Sequence, residues 1–194
     1  MPSKSLTVSS INGARFVGRT PGEESQTLKW LKSLSESGAV VPDVLCIQDF
    51  RVSLLQYLRP LPHFHFAPMT NHKIWGKREL TGIVLASKYP LNDIKVCYTQ
   101  VPPDWDGSIK DLDGVGDNNH RWGGDRAEEA DRRVLETEWR VAIAASVILP
   151  FMVGGSDKVR LSTHHGAWVS GGISTREQMD STRTHLKNNV SVTT

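Results

Sequence analysis

Three polar residues stand where short predicted strands end: Asn12 after residues 6–11, Asp49 after residues 44–48, and His164 after residues 158–163. Element ends are where a rigid scaffold commonly presents reactive groups, because the backbone is fixed while the side chain reaches a cleft. The three types are chemically complementary. A hard divalent cation such as Mg²⁺ takes oxygen ligands from carboxylates, amide carbonyls and water, and Asp49 and Asn12 carry those atoms. An imidazole beside them can give a hydrogen bond or a proton to a phosphoryl oxygen, a role open to His164. Each residue also has a plainer reading. Asn12 precedes Gly13 and suits a turn, Asp49 could cap a following helix, and His164 could be a hydrogen-bonded core histidine.

The elements that must position these groups are legible as alternating apolar runs and turn signals. Residues 6–11 read as a strand entering the Asn12-Gly13 turn. Thr20, Pro21, Gly22 and Glu23 have capping-box spacing with Pro at the first helical position, which predicts a helix from Thr20. Leu28, Leu31 and Leu34 give it an apolar face, and Gly38 ends it. Residues 42–48 form a short apolar run of the buried-strand kind ending in Gln48, and Leu54, Leu55 and Leu58 suggest a brief helix after it. Strands are predicted at 63–66, 82–87, 94–98, 140–147 and 158–162, and a second capping box at Ser174 opens a helix to about Lys187. Many strands in series with few helices argue for an α+β fold of layered sheets rather than a wound βαβ sheet. Residues 102–133 are rich in Gly, Asp, Asn and Arg without periodicity, and read as a surface insertion in a single domain spanning 1–194.

Composition sets the class. A chain of 194 residues with 38% hydrophobic and 23% charged side chains can bury a core and is not expected to be disordered. No apolar run approaches the roughly 20 residues that span a bilayer, and residues 1–7 lack the apolar stretch of a secretory signal. A cytoplasmic monomer is expected, with Cys46 and Cys97 as free thiols inside apolar runs. The net charge of +2 conceals a division. Residues 104–140 carry 11 acidic and 6 basic side chains, and the remainder is basic by 7. A basic body suits an anionic substrate.

Four segments, in order, resemble the endonuclease/exonuclease/phosphatase superfamily. Residues 6–12, ending in Asn12, resemble its first strand with a metal-site Asn. The run Pro42-Asp43-Val44-Leu45-Cys46-Ile47-Gln48-Asp49 looks like its "P-D-[IV]-[LV]-x-[LI]-Q-E" segment. Residues 81–90, TGIVLASKYP, are similar to its "G-[VI]-A-[IL]-x-S-[KR]-x-P" strand, and residues 158–164 to its "V-x-x-T-H" strand. Gln178 falls where a downstream "R-x-x-Q" helix begins. The resemblance implies a layered β-sandwich flanked by helices (α/β/β/α, deoxyribonuclease-like) and Mg²⁺-dependent hydrolysis of phosphoesters, with Mn²⁺ as a substitute and nucleic acid among the candidate partners. Asn12 and Asp49 would hold the metal, and His164 would meet the scissile phosphate. Glu79 would orient that histidine, and Lys77 and Arg78 are candidates for phosphate contact or simple solvated charges.

Two departures qualify these expectations. Asp49 stands where the family usually has Glu, one methylene longer. The family's later "G-D-F-N" and "S-D-H" motifs, which supply the activator of the attacking water and a phosphate-binding histidine, do not follow Leu186. The chain is therefore expected to be an N-terminal portion, incomplete at the C-terminus, with its own activity left open. One alternative is a non-catalytic binding module on the same scaffold. Against a nucleic-acid role for it, aromatic residues are 7% and form no stacking platform interleaved with basic residues. A second alternative is a zinc hydrolase drawing on His63, His65, His72, His164 and His165, with no His-x-x-x-His pair to support it.

Overall fold

The computed structural model describes residues 5–13, 16–18, 22–74, 77–99, 111–112 and 140–165. They form two stacked β-sheets with helices on the outer face of the first. The first sheet has five strands: β1 (Val8–Asn12), β2 (Val44–Arg51), β3 (His63–Ile74), β4 (Lys77–Ser87) and β6 (Asp111–Leu112), in the order β1-β2-β4-β3-β6. The second has three, β5 (Leu91–Thr99), β7 (Arg140–Val153) and β8 (Ser156–His165), in the order β5-β7-β8. A helix, α1 (Gln26–Ser33), and a 3₁₀ helix at Val52–Leu58 lie in the connections on either side of β2. This is the layered sandwich expected from the sequence. The helix expected at 174–187 and Gln178 lie outside the described residues, as does most of the 102–133 insertion. Two residues of that insertion form β6, which pairs in parallel with β3 at Asn71 and His72.

Runs without polar alternation identify strands buried on both faces. In β2, Leu45 and Ile47 join Leu28, Leu31, Leu54, Leu58, Phe16 and Phe50 in a core between the first sheet and the helices. Val44 and Cys46, on the opposite face, join Ile83, Leu85, Val141, Ile143, Ala145 and Val147 in a core between the sheets. Two cores back to back on one central strand are what make residues 44–47 uniformly apolar. Both cysteines are free, Cys46 buried and Cys97 half-buried.

The start of α1 differs from the sequence expectation. The helix begins after Ser25, whose hydroxyl accepts a hydrogen bond from the Leu28 amide at 3.1 Å. Gly22, with φ of +84°, lies in a left-handed conformation outside any helix, and Glu24 bridges to Val17 as extended backbone. A helix cannot run through either, so the cap moves to the next hydroxyl. No helix among the described residues is long and apolar enough to cross a membrane.

Candidate active site

Asn12 ends β1 in register with Gln48 of β2, and the pairing continues one residue further through a hydrogen bond from the Gly13 amide to the Gln48 carbonyl at 2.8 Å. Asn12 is thus fixed beside the C-terminal end of β2. Asp49 follows immediately, and there the β2–β4 ladder breaks. Ile47 pairs with Val84 and Phe50 with Gly82, so Gln48 and Asp49 together oppose Ile83 alone. Such a bulge re-aims side chains, and bulges are common beside active sites. Asp49 adopts φ of +52°, a left-handed conformation that Asp tolerates better than most non-glycine residues.

The bulge decides which residues face which core. Simple alternation after Ile47 would turn Asp49 into the apolar layer under the helices and Phe50 toward the second sheet. The extra residue reverses this. Phe50 enters the helix-side core, edge-to-face with Phe16 at 5.7 Å, while Gln48 and Asp49 both reach β8. The Gln48 amide nitrogen donates to the Thr163 hydroxyl at 2.7 Å and to the Ser10 hydroxyl at 3.3 Å, joining β1, β2 and β8. Thr163 also hydrogen-bonds the Cys46 thiol, and burial, opposed by that bond, pushes the Cys46 pKa up to about 11. This thiol is a packing group and not a nucleophile at neutral pH.

Asp49 meets a histidine, and that histidine is His165: its Nε2 lies 3.6 Å from Asp49 Oδ1, with both side chains largely buried. The sequence had pointed to His164. Antiparallel pairing settles the difference, because directly opposed residues share a sheet face. Thr163 and His165 oppose Ile143 and Val141, both in the inter-sheet core, whereas His164 opposes Ala142 on the other face. The Thr-His pattern in the sequence does not say which of two adjacent histidines faces inward; only the register of β7 on β8 does.

Glu79, expected to orient a histidine, instead accepts a hydrogen bond from Arg51 at 3.1 Å within a mostly buried ion pair. Lys77 and Arg78 are exposed at the start of β4, at the same end of the sandwich. The histidines of the zinc alternative are not gathered. His63 and His65 pair with Ser87 and Leu85, at the opposite end of β4 from Glu79, and burial lowers the pKa of His65. Among the described residues no group of three or more His, Cys, Asp and Glu is arranged to hold a metal. Asn12 and Asp49 stand at the ends of neighbouring strands, and one amide with one carboxylate are donor types that suit a hard cation keeping most of its water, as Mg²⁺ does. They do not make a closed four-ligand zinc cage. Sequence reasoning gave Arg51, Gln48 and Thr163 no role at the site and named His165 only in the zinc alternative; Arg51 and Gln48 were readable only as neighbours of Asp49.

Comparison with known proteins bears on the fold. No family model matches the chain, and none of the curated proteins matches its sequence. Among solved structures it is similar to the crystal structure of an endonuclease/exonuclease/phosphatase from Beutenbergia cavernae DSM 12333, with a TM-score of 0.56 and 14% sequence identity. The similarity covers 96% of this chain and 44% of that one, so the chain spans less than half the length of its structural relative. With two stacked sheets in this order and that likeness over nearly all its length, the chain has the endonuclease/exonuclease/phosphatase fold.

Proposed function

We propose that the chain is a metal-dependent phosphoester hydrolase whose cation site is built on Asn12 and Asp49. The observation that carries this reading is the bulge in β2, which turns Asp49 out of the apolar layer and sets it against His165 beside the end of β1. A left-handed non-glycine residue costs about 1–3 kcal/mol, and a chain that only had to pack would place Gly there. In this reading Asn12 and Asp49 hold Mg²⁺, or Mn²⁺ in its place. When bound, the cation neutralises charge developing on the phosphoryl oxygens. The backbone that follows Asn12 is pinned to β2 through the Gly13 amide, and in this reading the Asn12 amide oxygen is the second protein ligand. In this reading His165 donates a hydrogen bond to a phosphoryl oxygen, with the Asp49 carboxylate 3.6 Å from its Nε2. Lys77 and Arg78, exposed on the same rim, attract the anionic substrate. Phosphodiesters, nucleic acid among them, are the proposed substrate class.

The test is hydrolysis of bis(p-nitrophenyl) phosphate together with calorimetric titration of Mn²⁺. Mn²⁺ binding that Asp49→Ala weakens by about tenfold or more, with Mg²⁺-dependent turnover abolished by chelator, is the expected result. Mn²⁺ binding without turnover would favour the binding-module alternative. No binding of Mn²⁺ at millimolar concentration would refute the metal reading.

A further inference from the structure

Arg51 lies two residues beyond Asp49 on β2, in register with Thr81 of β4. Its guanidinium faces two segments of the site end at once. Nη1 donates to Glu79 Oε2 at 3.1 Å, and Nη2 reaches the carbonyl of Phe16, in the connection after β1, at 3.5 Å. The second contact is long, so it depends on the guanidinium being held in one direction, and Glu79 supplies that hold. Arg51 and Glu79 side chains are 16% and 17% exposed. Arg51 Nε is buried without a hydrogen-bond partner among the described residues. A buried ion pair with an unmet N–H is a poor stabilising device, so its place at this point asks for another reason.

The Phe16 end supplies one. Phe16 has φ of +56°, an outlier for a bulky residue. Its ring is fully buried on Phe50 and lies against Gly13, where any Cβ would come within 2.1 Å of a ring carbon. The Phe16 amide donates to the Gly13 carbonyl at 2.7 Å. The backbone that follows Asn12 is therefore fixed at three points: the Gly13 amide on β2, the Phe16 ring in the core, and the Phe16 carbonyl on Arg51. We infer that Arg51 is a positioning residue for the candidate site, and Glu79 its orienting partner: together they fasten the strained Phe16 backbone and, through it, the chain that follows Asn12. Only the cation arm of the test below rests on reading Asn12 and Asp49 as metal ligands.

The double variant Arg51→Met, Glu79→Leu removes both charges and keeps apolar volume. We expect its melting temperature to stay near or above that of the wild type, since replacing a buried ion pair by apolar groups is often neutral or stabilising. Amide exchange at Gly13 and Phe16 should accelerate about tenfold or more, while the Ile148 amide, bonded to Pro90 in the other sheet, stays unchanged. Mn²⁺ affinity should fall by about tenfold, the usual effect of losing a group that supports a ligand. The exchanged pair Arg51→Glu, Glu79→Arg restores the charges but leaves nothing at position 51 to donate to Phe16, so it should not restore slow exchange. Unchanged exchange at Gly13 and Phe16, or equal acceleration at Ile148, overturns the inference. Loosened exchange with unaltered Mn²⁺ affinity overturns its link to Asn12. A wild-type chain that binds no Mn²⁺ would remove the metal reading alone, and the exchange comparison would still decide whether Arg51 fastens the turn.

Discussion

Asp49 carries two demands that conflict. Its backbone takes a conformation favoured by glycine, yet its carboxylate is the group placed against His165. The chain keeps the strain and the side chain together, the arrangement expected where a residue is held for what its side chain does. Asp49→Gly separates the two. Glycine adopts φ of +52° freely, and the contact with His165 that it removes is only a 3.6 Å approach. We therefore expect Asp49→Gly to gain stability by about 1 kcal/mol while losing cation binding. Chemical denaturation reads the first and calorimetry the second. A loss of stability above about 1 kcal/mol would mean that the carboxylate was serving the fold.

At the scale of elements, much was legible because it depends on local pattern. The runs at 44–48 and 82–87 are strands, and the Leu54, Leu55 and Leu58 cluster is the short 3₁₀ helix. What the sequence withheld depends on how strands meet. The bulge at Asp49, the inward face of His165 and the pairing of Glu79 with Arg51 each follow from register, and register is fixed by partners far along the chain. Gly82 is an intermediate case. It reads as the first residue of an apolar strand, but its need for glycine comes from two neighbours together. Phe50 at the β2 bulge and Pro68 at a second irregularity, where β3 carries Met69 as an extra residue, both pair with Gly82. A Cβ there would lie 2.1 Å from the carbonyl oxygen of Ala67, a backbone atom that cannot rotate away. Gly82→Ala should thus push β3 from β4 and cost about 2–3 kcal/mol. It should also loosen the β2 bulge that shares the position. A urea midpoint within error of the wild type would show that the strands part at no cost.

The whole molecule is held in alignment from the end opposite the candidate site. Asp43, just before β2, accepts from the Thr7 amide at 2.9 Å and the Thr7 hydroxyl at 2.8 Å, and pairs with Lys88 beyond β4 at 3.1 Å. One carboxylate thereby sets the start of β1 and the end of β4 on β2, and with them the Asn12–Gln48 register at the far end. Burial disfavours the charged form of Asp43. The Thr7 amide and hydroxyl and the Lys88 ammonium outweigh that penalty and hold its pKa below the usual value. A carboxyl whose pKa is depressed in the folded state contributes stability that is complete above the unfolded pKa of about 4 and is lost as pH falls through the lower folded value. Below about pH 4, then, β1 should loosen from β2 before the two cores give way. Asp43→Asn keeps an acceptor and removes the titration. It should lower stability by about 1–2 kcal/mol at neutral pH and flatten the acid side of the stability profile. Thermal unfolding followed from pH 7 to pH 2.5 separates the outcomes. If the variant and the wild type lose stability in parallel, this carboxylate is not what sets the alignment, and the placement of Asn12 must be traced to β1 packing alone.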